Sequence, residues 1–100
     1  MKYLLVLQFP SFVKTLAQLV ELEDELEREL ASQAEIDGHD FGAGEGNIFV
    51  RTDDPGRTFA QVKQVLDLAS LDSLKAAYRD LEGESYTILW PPDLGEFQVR

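Results

Sequence analysis

Cysteine is absent from this 100-residue chain, which removes a disulfide framework, a thiolate zinc site and a thiol nucleophile at once. A single histidine leaves any zinc centre short of its usual nitrogen and sulfur donors. Basic side chains are scarce too: nine Lys and Arg stand against nineteen Asp and Glu, a formal charge of −10 with a sequence pI near 4.3. Such a balance repels phosphate backbones and anionic bilayers, so no nucleic acid and no membrane is expected as a partner. No apolar run approaches the roughly 20 residues that a membrane-spanning helix needs. Internal repeats and low-complexity segments are missing as well.

What remains is one domain. A chain of this length with 44% hydrophobic residues covers roughly 60–70% of its unfolded surface on folding and has no room for a second core. Met1, Lys2 and the run Tyr3-Leu4-Leu5-Val6-Leu7 resemble the opening of a secretion signal. The run stops at Gln8 and Pro10, however, and no small-residue cleavage site follows. A strand is the better reading, and the expectation is an intact, cytoplasmic chain.

Residues 2–9 read as a central strand. Ser11 is the expected helix N-cap, and apolar residues at 12, 16, 19, 22, 26 and 30 follow the helical period over 12–31, with an acidic outer face. Residues 34–41 and 47–52 read as two strands joined through Gly42-Ala43-Gly44-Glu45-Gly46, a hairpin signal. Asp54 followed by Pro55 marks the start of a second helix, striped by Phe59, Val62, Leu66 and Ala69. Residues 70–73 read as a break, and 74–81 fit helix slightly better than strand by periodicity. Tyr86-Thr87-Ile88-Leu89-Trp90 is a strand stopped by Pro91-Pro92.

This order predicts an α+β, ferredoxin-like split β-α-β sandwich over residues 1–91: an antiparallel sheet with two helices on one face and the first and third strands central. A C-terminal hairpin would add a fifth strand, and residues 92–100 form an extended tail.

The segments Asp37-Gly38-His39-Asp40-Phe41-Gly42, Gly44-Glu45, Asn47-Ile48-Phe49, Thr52-Asp53-Asp54-Pro55 and Tyr86-Thr87-x-Leu89-Trp90-Pro91 resemble a group of short bacterial ferredoxin-like proteins of uncharacterised function. The resemblance spans most of residues 1–91. It implies a strand at 74–81 leading into a hairpin with 86–90. It brings no catalytic residues and no cofactor.

Three features could carry chemistry. Asp37, His39, Asp40 and Glu45 form a polar cluster that could hold a divalent metal or a small ligand, with His39 as a base. On a regular strand Asp37 and His39 share a face and Asp40 takes the other, so the ligands do not converge by themselves; a polar strand end running into a turn, with His39 half exposed, is the preferred reading. The glycines at 42–46 invite a phosphate-loop reading, but a strand rather than a helix follows them, Glu45 is negative, and no lysine closes the motif. No nucleophile triad or coupled acid pair is evident, so a non-catalytic role is favoured.

The third feature is apolar. If Leu4, Val6, Ile48 and Val50 face the helices, Tyr3, Leu5, Leu7 and Phe49 form a greasy patch on the uncovered side of the sheet, suited to a protein partner or a homodimer. The competing expectation is that residues 91–100 cross that side and cover it. Charge is concentrated at −7 over residues 1–50 and −3 over 51–100, so the acidic helix is a second surface that could steer a basic partner.

Overall fold

The computed structural model describes residues 1–99. The protein is α+β, with a five-stranded antiparallel sheet and three helices among the described residues. Strand β1 (Tyr3–Pro10) leads to α1 (Leu16–Leu30), and a short 3-10 turn (Ala31–Gln33) enters β2 (Ala34–Gly42). A hairpin joins it to β3 (Glu45–Thr52); α2 (Pro55–Val65), α3 (Leu68–Ser73), β4 (Lys75–Asp80) and β5 (Thr87–Trp90) follow. The sheet order is β2-β3-β1-β4-β5, with every neighbouring pair antiparallel. The resemblance-based strand at 74–81 is therefore the observed one.

The helices begin where side chains satisfy their free N–H groups. At α1 the cap is Thr15, not Ser11: Thr15 Oγ1 accepts from the Gln18 backbone, and the Gln18 side chain accepts from the Thr15 N–H, closing a capping box. Residues 11–13 are turns instead, which leaves Phe12 88% exposed and outside the stripe it was assigned to. At α2, Asp54 caps by accepting from the Arg57 N–H, and Pro55 takes the first helical position, as the sequence indicates. A buried hydroxyl pair, Thr52 to Thr58 at 2.7 Å, ties the end of β3 to the first turn of α2. The expected break at 70–73 lies inside a short helix, α3, capped by Asp67 accepting from the Ser70 N–H.

All three helices lie on one face. Leu19, Leu22, Leu26 and Leu30 of α1, with Phe59 and Val62 of α2, pack on Leu5, Leu7 and Phe9 of β1, Ile48 and Val50 of β3 and Ala76 of β4. Gly46 admits this contact, because a Cβ there would come within 3.1 Å of Leu19 Cδ2. Trp90 closes the β5 side, donating from Nε1 to the Leu71 carbonyl at 3.0 Å and packing on Phe59.

The β2–β3 connection is a two-residue hairpin loop in which Ala43 and Gly44 both take positive φ, 53° and 80°. This is the primed turn whose twist matches the flanking strands. A bulge interrupts the β2–β3 ladder: Ile36 opposes Val50 and Gly38 opposes Phe49, leaving Asp37 as the extra residue.

Candidate functional site

Cross-strand pairing decides which residues share a face. Leu5 opposes Val50 and Leu7 opposes Ile48; directly opposed residues point the same way. Leu5 and Leu7 therefore belong to the helix-covered side, and each is fully buried in the core. This corrects the expected patch: the alternation along each strand was sound, but the two strands were joined one residue out of phase. Tyr3 follows Leu5 onto the helix side and meets Tyr78 edge-on, ring centroids 5.6 Å apart. Of the four patch residues only Phe49 is on the reverse face, where it is half-buried opposite Val6.

The reverse face carries Leu4, Val6 and Gln8 from β1, Glu45, Asn47, Phe49 and Arg51 from β3, and Lys75, Ala77 and Arg79 from β4. Among the described residues no helix covers it, yet Leu4, Val6 and Ala77 are buried. The chain itself crosses this side after β5. Phe97 packs on Tyr86 with centroids 5.0 Å apart, Arg79 lies over the Tyr86 ring, and the Gln98 carbonyl accepts from Gln8 Nε2 at 2.9 Å. The tail expected over 92–100 is thus packed on the sheet as far as Gln98; residue 100 lies outside the described residues.

Beneath the tail is a polar centre that the sequence reading did not single out. Gln8 and Asn47, 4% and 2% exposed, sit opposite each other on adjacent strands, and Gln8 Nε2 donates to Asn47 Oδ1 at 3.0 Å. Its second proton serves Gln98. Two residues along β3, Glu45 Oε2 is buried and has no hydrogen-bond partner among the described residues. A polar residue inside an otherwise apolar strand, Gln8, was the signal available beforehand.

The four residues of the expected polar cluster are not brought together. The bulge at Asp37 breaks the alternation, so His39 pairs with Ile48 and turns to the helix side. There its Nδ1 lies 3.2 Å from both carboxylate oxygens of Glu23 on α1. Asp37 instead pairs with Arg51 at 3.2 Å, an exposed ion pair. Asp40 opposes Asn47 on β3, and Glu45 is drawn under the tail side of the sheet. No group of three or more His, Cys, Asp and Glu among the described residues is placed to hold a metal ion.

On the helical side, α1 and α2 leave a groove between them. One part, about 350 Å³, is lined by Glu21, Glu25, Asp67 and Lys14; the next, about 480 Å³, by Glu25, Glu29, Arg28 and Gln61. Glu25 and Val65 belong to both, so the two parts are continuous. Glu21, Glu25 and Glu29 recur at four-residue spacing and line one wall. Gln61 Oε1 is buried beside them without a hydrogen-bond donor among the described residues. At the α3 end, hydrogen bonds from Ser70 hold the Asp67 carboxyl below its ordinary pKa.

Among the described residues no helix is long and apolar enough to cross a membrane. No protein-family model matches the chain, and neither curated proteins nor solved structures give a match.

Proposed function

We propose that the protein is a small non-catalytic interaction domain that docks a basic segment of a protein partner along the groove between α1 and α2. The observation that carries this reading is the groove's unbalanced charge: Glu21, Glu25, Glu29 and Asp67 line it against Lys14 and Arg28. The helix behind it holds six acidic residues and one arginine between Leu16 and Leu30. Repulsion between i, i+4 glutamates costs the free helix a few tenths of a kcal/mol per pair, a cost that a cationic partner relieves. Gln61 Oε1 adds an acceptor that a lysine or arginine N–H would satisfy. The tail across the reverse of the sheet favours this groove over self-association through that face.

The same reading takes the architecture as ferredoxin-like, of the kind the short bacterial proteins resembling this chain have. The β2-β3-β1-β4 portion of the sheet, with its helices on one side and β5 added at the edge, supports it.

The test is titration of a lysine- and arginine-rich peptide into labelled protein, followed by amide shifts at low and raised salt. Saturable shifts along α1 and α2, weakened by salt, are expected. Glu25→Lys should weaken binding far more than Glu35→Lys, which makes the same charge change on β2. Equal losses from both variants would reduce the effect to net charge and defeat the proposal.

A further inference from the structure

The cleft under the C-terminal tail has an unanswered acceptor. Two adjoining cavities, about 250 and 140 Å³, share Gln8, Glu45 and Lys75 as lining residues. The larger is roofed by the tail from Leu94 to Gln98, and the smaller opens toward Pro10 and Ser73. Each exceeds the roughly 30 Å³ share of one water, and both fall below the usual span of sites for drug-sized molecules. Gln8, which lines both cavities, is buried and bonded to Asn47, and both Gln8 Nε2 protons are already committed. The cleft thus offers no spare donor from that amide. What it does offer is the carboxylate of Glu45, a lining residue whose Oε2 is closed off from solvent and without a donor among the described residues. A buried carboxylate oxygen left this way carries a desolvation cost that an N–H donor removes.

We infer that this cleft is a binding site for a small organic cation bearing N–H donors, a primary ammonium, anchored on the Glu45 carboxylate. The ammonium donates to the Glu45 carboxylate, which turns about its last side-chain bond to bring Oε2 into the cleft, and its short alkyl portion lies against the underside of the tail. Glu96, also at the rim, adds negative charge, whereas the exposed Lys75 is the competing cation. That competition gives the inference a sign that a purely structural Glu45–Lys75 pairing would not have. Removing the lysine takes a rival positive charge away from the cleft, while removing the carboxylate abolishes the site. The α1–α2 groove takes no part.

Ethylammonium titrated into labelled protein, with tetramethylammonium as a cation of equal charge lacking N–H donors, tests this. Saturable millimolar shifts confined to Glu45, Asn47, Lys75 and Gln98 are expected for ethylammonium alone. Glu45→Gln should weaken them roughly tenfold or more, the loss of a charge-assisted hydrogen bond. Lys75→Met, at an exposed position that leaves the core intact, should tighten binding several-fold. Four results would each overturn the inference: no saturation, equal binding of tetramethylammonium, shifts that follow α1 instead, or weaker binding in Lys75→Met. The last would mark Lys75 as part of the site rather than its competitor.

Discussion

Replacing Gln8 by Leu should cost far more than its position on a leucine-rich strand suggests. The side chain loses two hydrogen bonds, to Asn47 Oδ1 at 3.0 Å and to the Gln98 carbonyl at 2.9 Å. A net bond contributes about 1 kcal/mol, and a buried acceptor left without a donor costs about 1–3 kcal/mol. Extra apolar burial by leucine returns about 1 kcal/mol. The balance is a loss of about 2 kcal/mol, or roughly 10 °C in Tm for a domain of this size. Asn47→Leu leaves Gln8 Nε2 still bonded to the tail and should cost only about 1 kcal/mol. In the double variant no side-chain amide is stranded, so the total should fall below that of Gln8→Leu alone, a coupling of about 2 kcal/mol. Urea unfolding of all four proteins, with midpoints and m-values, measures the cycle. Single-variant losses that simply add to within about 0.5 kcal/mol would mean the two amides are independently solvated, refuting the buried pair.

Two further outcomes can be measured, one at the tail and one at the α3 cap. Deleting residues 93–100 should uncover Leu4, Val6 and Phe49, giving concentration-dependent association by analytical ultracentrifugation and binding of a hydrophobic dye; a strictly monomeric product of unchanged thermal stability would show that the tail is not the cover. Because the carboxyl pKa of Asp67 is lowered in the folded state by its hydrogen bonds with Ser70, its contribution to stability is complete above the ordinary value of 3.8 and is lost as pH falls through the depressed one. The stability difference between wild type and Asp67→Ala should accordingly shrink on acidification in that window, and a difference indifferent to pH there would contradict the assignment.

Local signals in this chain were readable, and relations between distant segments were not. Asp54-Pro55 marks the start of α2 because cap and proline act within one turn, and the glycine-rich stretch at 42–46 marks the hairpin for a similar reason. The start of α1 was also written locally, in Thr15 and Gln18 three residues apart, but Ser11 next to Pro10 offered a competing cap. The short α3 escaped because six residues give too few repeats to establish a period. The face assignment failed differently. Alternation tells which residues of one strand agree with each other, and only the register Leu5–Val50 tells how two strands agree. The bulge at Asp37 is a second register effect, and it is what separates His39 from Asp37, two residues before it. The polar centre depended on residues 39 and 90 positions apart, Gln8 with Asn47 and with Gln98, so no window along the chain contains it.

The outer margins of the sheet have their own consequence. On one side β2 presents an edge kinked at Asp37 and flanked by Glu35 and Asp40; on the other, β5 is four residues long and runs straight into Pro91 and Pro92. A kink, negative charges and prolines all discourage a foreign strand from annealing to such a border. Pairing of a second copy onto either border of the sheet is therefore disfavoured by features written into the border strands themselves.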